Sequence, residues 1–171
     1  CSFFMSPLFK AHDRAQFELF AYAEVKKPDR ITDKFKTMVD NWRPTEKKTD
    51  AEVAEMMRAD GIDILVDLAG HTGHNRLQVF ARKPAPVQVT WLGCPGTTGL
   101  SAIGYRLTDA VADPPGAESD AVETLVRLPG GFLCYEAPDD DVMPAVSPLP
   151  ARATKSVTFG CFNNLLKLNA G

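Results

Sequence analysis

The sequence predicts an α/β protein built on an open, mostly parallel sheet. Three observations carry that expectation. Helix-like and strand-like segments alternate up to residue 135. The strand-like segments are short and rich in β-branched or aromatic residues. Clusters of Gly, Pro and Asn punctuate the alternation. Crossover helices joining parallel strands leave this pattern.

Phe4, Met5, Leu8 and Phe9 fall on one face of a short helix, with Pro7 suited only to a first turn. FELFAY, residues 17–22, is short and aromatic-rich like a strand. Residues 26–48 are polar and carry Lys and Pro, which predicts loop with one weak helix over 35–42. Thr49 and Glu52 form a capping-box pair, and Val53, Met56 and Met57 then share a helix face that Gly61 would end. IDILVDL, residues 62–68, has the apolar, β-branched make-up of a strand buried on both faces. The loop AGHTGHN follows. Asn75 is placed to cap a helix with apolar Leu77, Phe80 and Ala81, and KPAP ends it.

VQVTWLG, residues 87–93, alternates like a strand, and CPGTTG after it is a tight loop. YRLTDA and ETLVRLP are two further short strands. Residues 136–155 collect Pro, Asp, Ala and Ser without periodicity and read as a linker. SVTFGCFN, residues 156–163, opens a new strand, and NLLKLNAG the helix after it. The expected organisation is a lobe over 1–135, a linker over 136–155 and the start of a second unit over 156–171. The chain opens without Met in an amphipathic segment and stops inside the last helix, so it reads as a piece of a longer protein.

A length of 171 residues is that of about one domain. Apolar residues at 44% and charged residues at 24% suit a soluble globular protein. Nineteen basic against 22 acidic residues, net charge −3, argue against nucleic-acid or polybasic membrane partners. No apolar run approaches the roughly 18 residues of a membrane span. The apolar opening lacks the basic start of a signal peptide. Cys1, Cys94, Cys134 and Cys161 are far apart and read as free thiols of a reducing, cytoplasmic protein.

In a parallel sheet, ligands bind beyond the carboxyl ends of the strands. Loops 69–75 and 93–99 follow consecutive strands and would open on one edge. The first offers His71, Thr72, His74 and, one turn on, Arg76. The second offers Pro95, backbone N–H groups around Gly96 and Gly99, and the Thr97 and Thr98 hydroxyls. Together they suggest an anion-tolerant rim. Gly and Pro in GCPGTTG equally suit a plain turn, and Arg76 a surface charge. His71, His74 and Cys94 lack the spacing of a structural zinc site. DLAGH echoes a GTPase turn, but the phosphate-cradling Gly-x-x-x-x-Gly-Lys motif is absent from the sequence. Cys94 or Cys134 activated by a base stays open as a nucleophile. Lys167 would sit in the first turns of a helix, where a phosphate can also bind, or simply in solvent.

These residues carry a resemblance. DGIDILVDLAGHTGHNRLQVFARKPAPVQVTWLGCPGTTGL resembles the catalytic region of the O-GlcNAc transferase/SPINDLY-type glycosyltransferases, glycosyltransferase family 41. YRLTDAVADPPG, LVRLPGGFLCYEAP and FGCFNNLLKL continue it in order. The resemblance implies a GT-B architecture of two Rossmann-like lobes, of which this chain holds most of the first and the start of the second. It implies transfer of GlcNAc from UDP-GlcNAc to Ser or Thr hydroxyls of acceptor proteins, with inversion and without metal or other cofactor. Acceptors would bind through preceding tetratricopeptide repeats. The short linker resembles bacterial relatives. SPINDLY-type relatives use GDP-fucose, which is the alternative donor; a non-catalytic scaffold of the same fold is the alternative class.

Position by position, Lys167 matches a Lys on the donor diphosphate, where a cation stabilises the leaving nucleotide. Asn164 stands in place of a donor-contacting Gln. Leu92 matches a residue beside the sugar's N-acetyl group. Arg76 matches an Arg lining the cleft, along with His71, Thr72, Pro95, Gly96, Thr97 and Thr98. His71 stands where some members have Tyr, and Cys94 where Tyr is common. The family's catalytic His and nearby Asp are expected immediately upstream of Cys1, so this stretch alone is expected to be inactive.

Overall fold

The structure is a computed structural model that describes residues 2–93, 95–137 and 144–160. It divides into two compact units, Cys1–Ala137 and Pro138–Gly171. In the first unit the order is α1 (Ser2–Ala11), β1 (Phe20–Ala23), α2 (Arg30–Met38), β2 (Asn41–Pro44), α3 (Asp50–Ala59), β3 (Ile64–Asp67), α4 (Leu77–Ala81), β4 (Val87–Thr90) and β5 (Tyr105–Thr108). A 3₁₀ turn (Ala117–Asp120) and β6 (Thr124–Arg127) complete it. Every pairing is parallel: β1 with β2, and a four-stranded sheet in the order β3-β4-β5-β6. The α/β class read from the sequence holds.

Helix α1 differs from expectation because Pro7 lies in its interior, past the first turn. Proline removes the N–H that would bond the Phe3 carbonyl. The Glu136 N–H donates to that carbonyl instead, at 3.4 Å. Lys10 pairs with Glu136 at 2.7 Å, which holds the same contact.

One strand starts later than predicted, and another lies where loop and a weak helix were expected. β1 begins at Phe20, and Phe17 lies 56% exposed. The region 35–42 is not one helix. α2 starts at Arg30, where Asp29 accepts from Thr32 N at 2.8 Å in a capping box, and it ends at Met38. Trp42 sits in β2, which has little intrinsic strand character and is held by pairing with β1. Arg43 of β2 adds a two-pronged bond to Asp60 at the end of α3, with Nε at 3.0 Å and Nη2 at 2.9 Å. The Tyr22 hydroxyl of β1 donates to the same carboxylate at 2.7 Å. The Arg43 hydrogen bond holds the Asp60 carboxyl below its ordinary range against the effect of burial. Burial, then Asp60, pushes the Tyr22 hydroxyl upward.

The core forms between α3, α4 and one face of the larger sheet. Val53, Ala54, Met57, Leu65, Val79, Phe80, Ala85 and Ile103 are its buried members. Full burial of a side chain such as Ile103, 1% exposed, contributes about 1.5–3 kcal/mol. The capping box of Thr49 and Glu52 starts α3 as expected, with Glu52 Oε2 accepting from Thr49 N at 2.7 Å. In α4 it is Val79 beside Phe80 that enters the core, while Ala81 is exposed. α4 is only five residues long, so its inward face shifts from the one the longer helix predicts. Strand β3 was expected to be buried on both faces. Leu65 and Asp67 are buried, but Ile64 and Val66 on the opposite face are 55% and 41% exposed.

In the second unit, a single helical turn, α5 (Ala151–Thr154), interrupts the predicted linker. It ends at Lys155 with φ +57°. Residues 156–160 form no strand. The rest of that predicted strand, and the helix carrying Asn164 and Lys167, lie outside the described residues, as do Cys1, Cys94 and Cys161. Cys134 is a free thiol.

Candidate active site

Parallel pairing places Asp67 opposite Thr90, so β3 and β4 end level and their loops leave by one edge. Asp67 organises that edge. Its carboxylate, 4% exposed, accepts from Ala69 N at 3.0 Å, Gly70 N at 2.9 Å and the Thr90 hydroxyl at 2.8 Å. Gly93 lets the loops touch. A Cβ there would lie 2.9 Å from the Ala69 carbonyl carbon and the Gly70 nitrogen, both backbone atoms. The sequence pointed to the two loops; the structure brings them into contact.

Leu92 leads into the second loop with φ +64°, and Gly93 N donates to Trp91 O at 2.9 Å. That is a γ-turn about a non-glycine residue in the left-handed region, a strained conformation. The residues beneath hold it. Trp91 N donates to Asp67 O at 2.8 Å and its indole Nε1 to Phe132 O at 2.7 Å. Phe132 N in turn donates to Asp109 at 3.0 Å. Backbone bonds from Ala112, Phe132 and Val111 hold the Asp109 carboxyl low. A recess of about 10 Å³ lies here, lined by Thr90, Trp91, Leu92, Pro95, Arg106 and Phe132 among others. That is room for one water.

The far end of loop 93–99 closes on Glu123, 4% exposed, just before β6. Its carboxylate accepts from Thr98 N at 2.7 Å, from the Thr97 hydroxyl at 2.8 Å and from the Thr98 hydroxyl. Burial pushes the Glu123 carboxyl up, but the Thr98 and Thr97 hydrogen bonds outweigh it and keep it below the ordinary range. Gly99 N is bonded to Thr97 Oγ1 at 3.1 Å. Both threonine hydroxyls and the Gly99 N–H, expected on the rim, are therefore turned to internal partners. Pro95 and Gly96 are exposed.

The tip of loop 69–75 is open. His71, Thr72 and His74 are exposed, and His74 has φ +62°. Thr72 Oγ1 donates to Ala69 O at 2.8 Å. Asn75 is not the cap of the next helix, which starts one residue later than expected with Arg76 as its N-cap and no side-chain cap; from the position before, Asn75 Oδ1 accepts from Leu77 N at 3.2 Å. Arg76 reaches back across the edge. It bonds Glu24 after β1 and Asp50 of α3, each at 2.7 Å, and the Thr45 and Lys48 carbonyls at 3.3 and 3.1 Å. Its guanidinium is thus satisfied within the protein. Glu24 is pushed up by burial, but the Arg76 and Thr45 bonds prevail and its carboxyl lies below the ordinary range.

Sequence reasoning missed Asp67 and Glu123. Each had one signal: an acid inside or beside an apolar strand, which burial tolerates only when hydrogen-bonded. Among the described residues, no group of three His, Cys, Asp or Glu is placed to hold a metal ion. No helix there is long and apolar enough to cross a membrane.

A parallel α/β lobe whose polar loops gather at one carboxyl edge has the Rossmann-like build of a GT-B glycosyltransferase catalytic region. The chain belongs to glycosyl transferase family 41, whose profile matches residues 1–142. It is 46% identical over 171 residues to the probable UDP-N-acetylglucosamine–peptide N-acetylglucosaminyltransferase SPINDLY of Solanum lycopersicum, covering 98% of this chain and 18% of that protein. It is 30% identical to the probable transferase of the same description, SEC, of Arabidopsis thaliana, with the same coverage. A mutant of Thermobaculum terrenum O-GlcNAc transferase superposes with a TM-score of 0.77 at 45% identity, over 80% of this chain and 26% of that one. The chain thus spans less than a fifth of the curated relatives' length. The resemblance read from the sequence is borne out.

Proposed function

We propose that the protein carrying this chain transfers N-acetylglucosamine from UDP-GlcNAc to Ser or Thr hydroxyls of acceptor proteins, inverting the anomeric centre without a metal. The observation that carries the reading is the rim. The loops that match the family's motif form one edge of a parallel lobe, in a chain of family 41. An acceptor hydroxyl attacks the anomeric carbon and the nucleoside diphosphate leaves. The protein contributes position and charge stabilisation. In this reading Lys167 meets the donor diphosphate, Asn164 assists it, and Leu92 packs against the N-acetyl group. His71, Thr72, Arg76, Pro95, Gly96, Thr97 and Thr98 form the cleft wall, with Arg76 fixing its shape through Glu24 and Asp50. Acceptors reach the site through tetratricopeptide repeats elsewhere in the protein, in the cytoplasm.

The second reading is GDP-fucose as donor, the alternative that the resemblance to SPINDLY-type members implies. The test is the intact protein incubated with labelled UDP-GlcNAc or GDP-fucose and a cell lysate, with Lys167→Ala beside it. Labelling of protein from UDP-GlcNAc, lost in the variant, is expected. Labelling from GDP-fucose alone would transfer the proposal to the second reading. No labelling from either would leave a scaffold that kept the fold.

A further inference from the structure

The carboxylate of Glu123 is buried, ionised and unmatched by any cation among the described residues. The polarity of its hydrogen bonds is forced. Thr97 Oγ1 already accepts from Gly99 N at 3.1 Å and Val122 N at 3.2 Å, so its own proton must point to Glu123. Thr98 Oγ1 accepts from Leu100 N at 3.2 Å, so its proton points there too. The Thr98 amide is a donor by nature. Three protons converge on two oxygens, and only an acceptor-only group satisfies all of them. An ionised carboxylate does so; a neutral amide of the same shape would aim an N–H at an oxygen with no lone pair to spare.

We propose that Glu123 is a positioning residue for sugar transfer: it fixes the 93–99 loop in its working shape through Thr97 and Thr98, without touching the donor. The inference rests on the glycosyltransferase reading. It explains why the two hydroxyls turn inward. They transmit the position of the β5–β6 region to Leu92, Pro95 and Gly96 at the rim. A loop with three glycines and a strained Leu92 is fastened at its far end by Glu123 on Thr97 and Thr98, beside the Val122 N–H that donates to Thr97 Oγ1.

The test uses Glu123→Gln and, as a second variant, Thr97→Val in the intact protein, with three readouts. Steady-state transfer should show kcat lowered at least tenfold and the donor KM within about twofold, because the loop sets geometry at the reacting sugar and not nucleotide affinity. Hydrogen exchange should quicken at Thr98, Gly99 and Leu100 and stay unchanged in α3. The double variant should be no worse than about the poorer single one, since both act through one network. Unchanged kcat and exchange in a folded Glu123→Gln protein would overturn the proposal. A parallel fall of kcat, KM and thermal midpoint in both variants, with faster exchange everywhere, would also overturn it by reducing Glu123 to general stability. If the unaltered protein transfers no sugar from either donor, the functional reading fails, and the role of Glu123 in catalysis with it. Exchange then still decides separately whether Glu123 holds the loop.

Discussion

Loops 69–75 and 93–99 leave adjacent strands by the same edge, yet they are fastened at opposite ends. The first is tied at its root, where Asp67 holds the Ala69 and Gly70 amides, and its tip carries exposed His71 and His74. The second is tied at its far end by Glu123, across 25 residues of sequence, and its strained entry at Leu92 rests on Trp91 and Phe132. The first loop therefore offers exposed imidazoles. The second offers a fixed backbone. Gly93, where the two loops touch, makes their two behaviours interdependent.

Breaking that contact should have the largest effect. Gly93→Ala sets a Cβ 2.9 Å from backbone that cannot yield. Overpacking of this kind costs about 3 kcal/mol, read as a lower denaturant midpoint. Asp67→Asn keeps the shape and replaces one acceptor by a donor facing Gly70 N or the Thr90 hydroxyl. A loss of about 2 kcal/mol is expected for a buried group left unpaired, in the same unfolding experiment.

Arg76→Met should cost less, about 1 kcal/mol, since its ion pairs are part-exposed. It also changes acid sensitivity. The folded Glu24 carboxyl titrates below its ordinary value of 4.5 because bonds from Arg76 and Thr45 overcome its burial. Its stabilisation is complete above that value and is lost as pH falls through the lower, folded one. Thermal melts between pH 5 and 3 should fall less steeply for the variant than for the unaltered protein. His71→Ala should have the smallest effect on folding, within about 0.5 kcal/mol, because the exposed side chain supports nothing; a larger loss would mean the first loop is fixed at its tip as well.

The same contrast separates what was legible in the sequence from what was not. The Thr49–Glu52 cap, the β3 and β4 segments and the shared edge of their loops follow from local spacing and from the alternation of elements. Strand β2 does not, because Asn41 and Trp42 are held by β1, and Arg43 by Asp60, partners that no local pattern names. Pro7 sits inside a helix because Glu136, at the other end of the lobe, replaces the lost donor. Loop 93–99 was recognisable from its Gly and Pro content. The inward turn of Thr97 and Thr98 was not, because the acceptor that decides it lies beyond the next strand.

Hydrogen exchange of the intact protein with and without UDP-GlcNAc, and again with GDP-fucose, tests most directly that the two loops form one donor-facing rim. Protection by one of these donors at both 69–75 and 95–99, with 24–48 unchanged, is the expected result. Protection of one loop alone, or of neither, would contradict it.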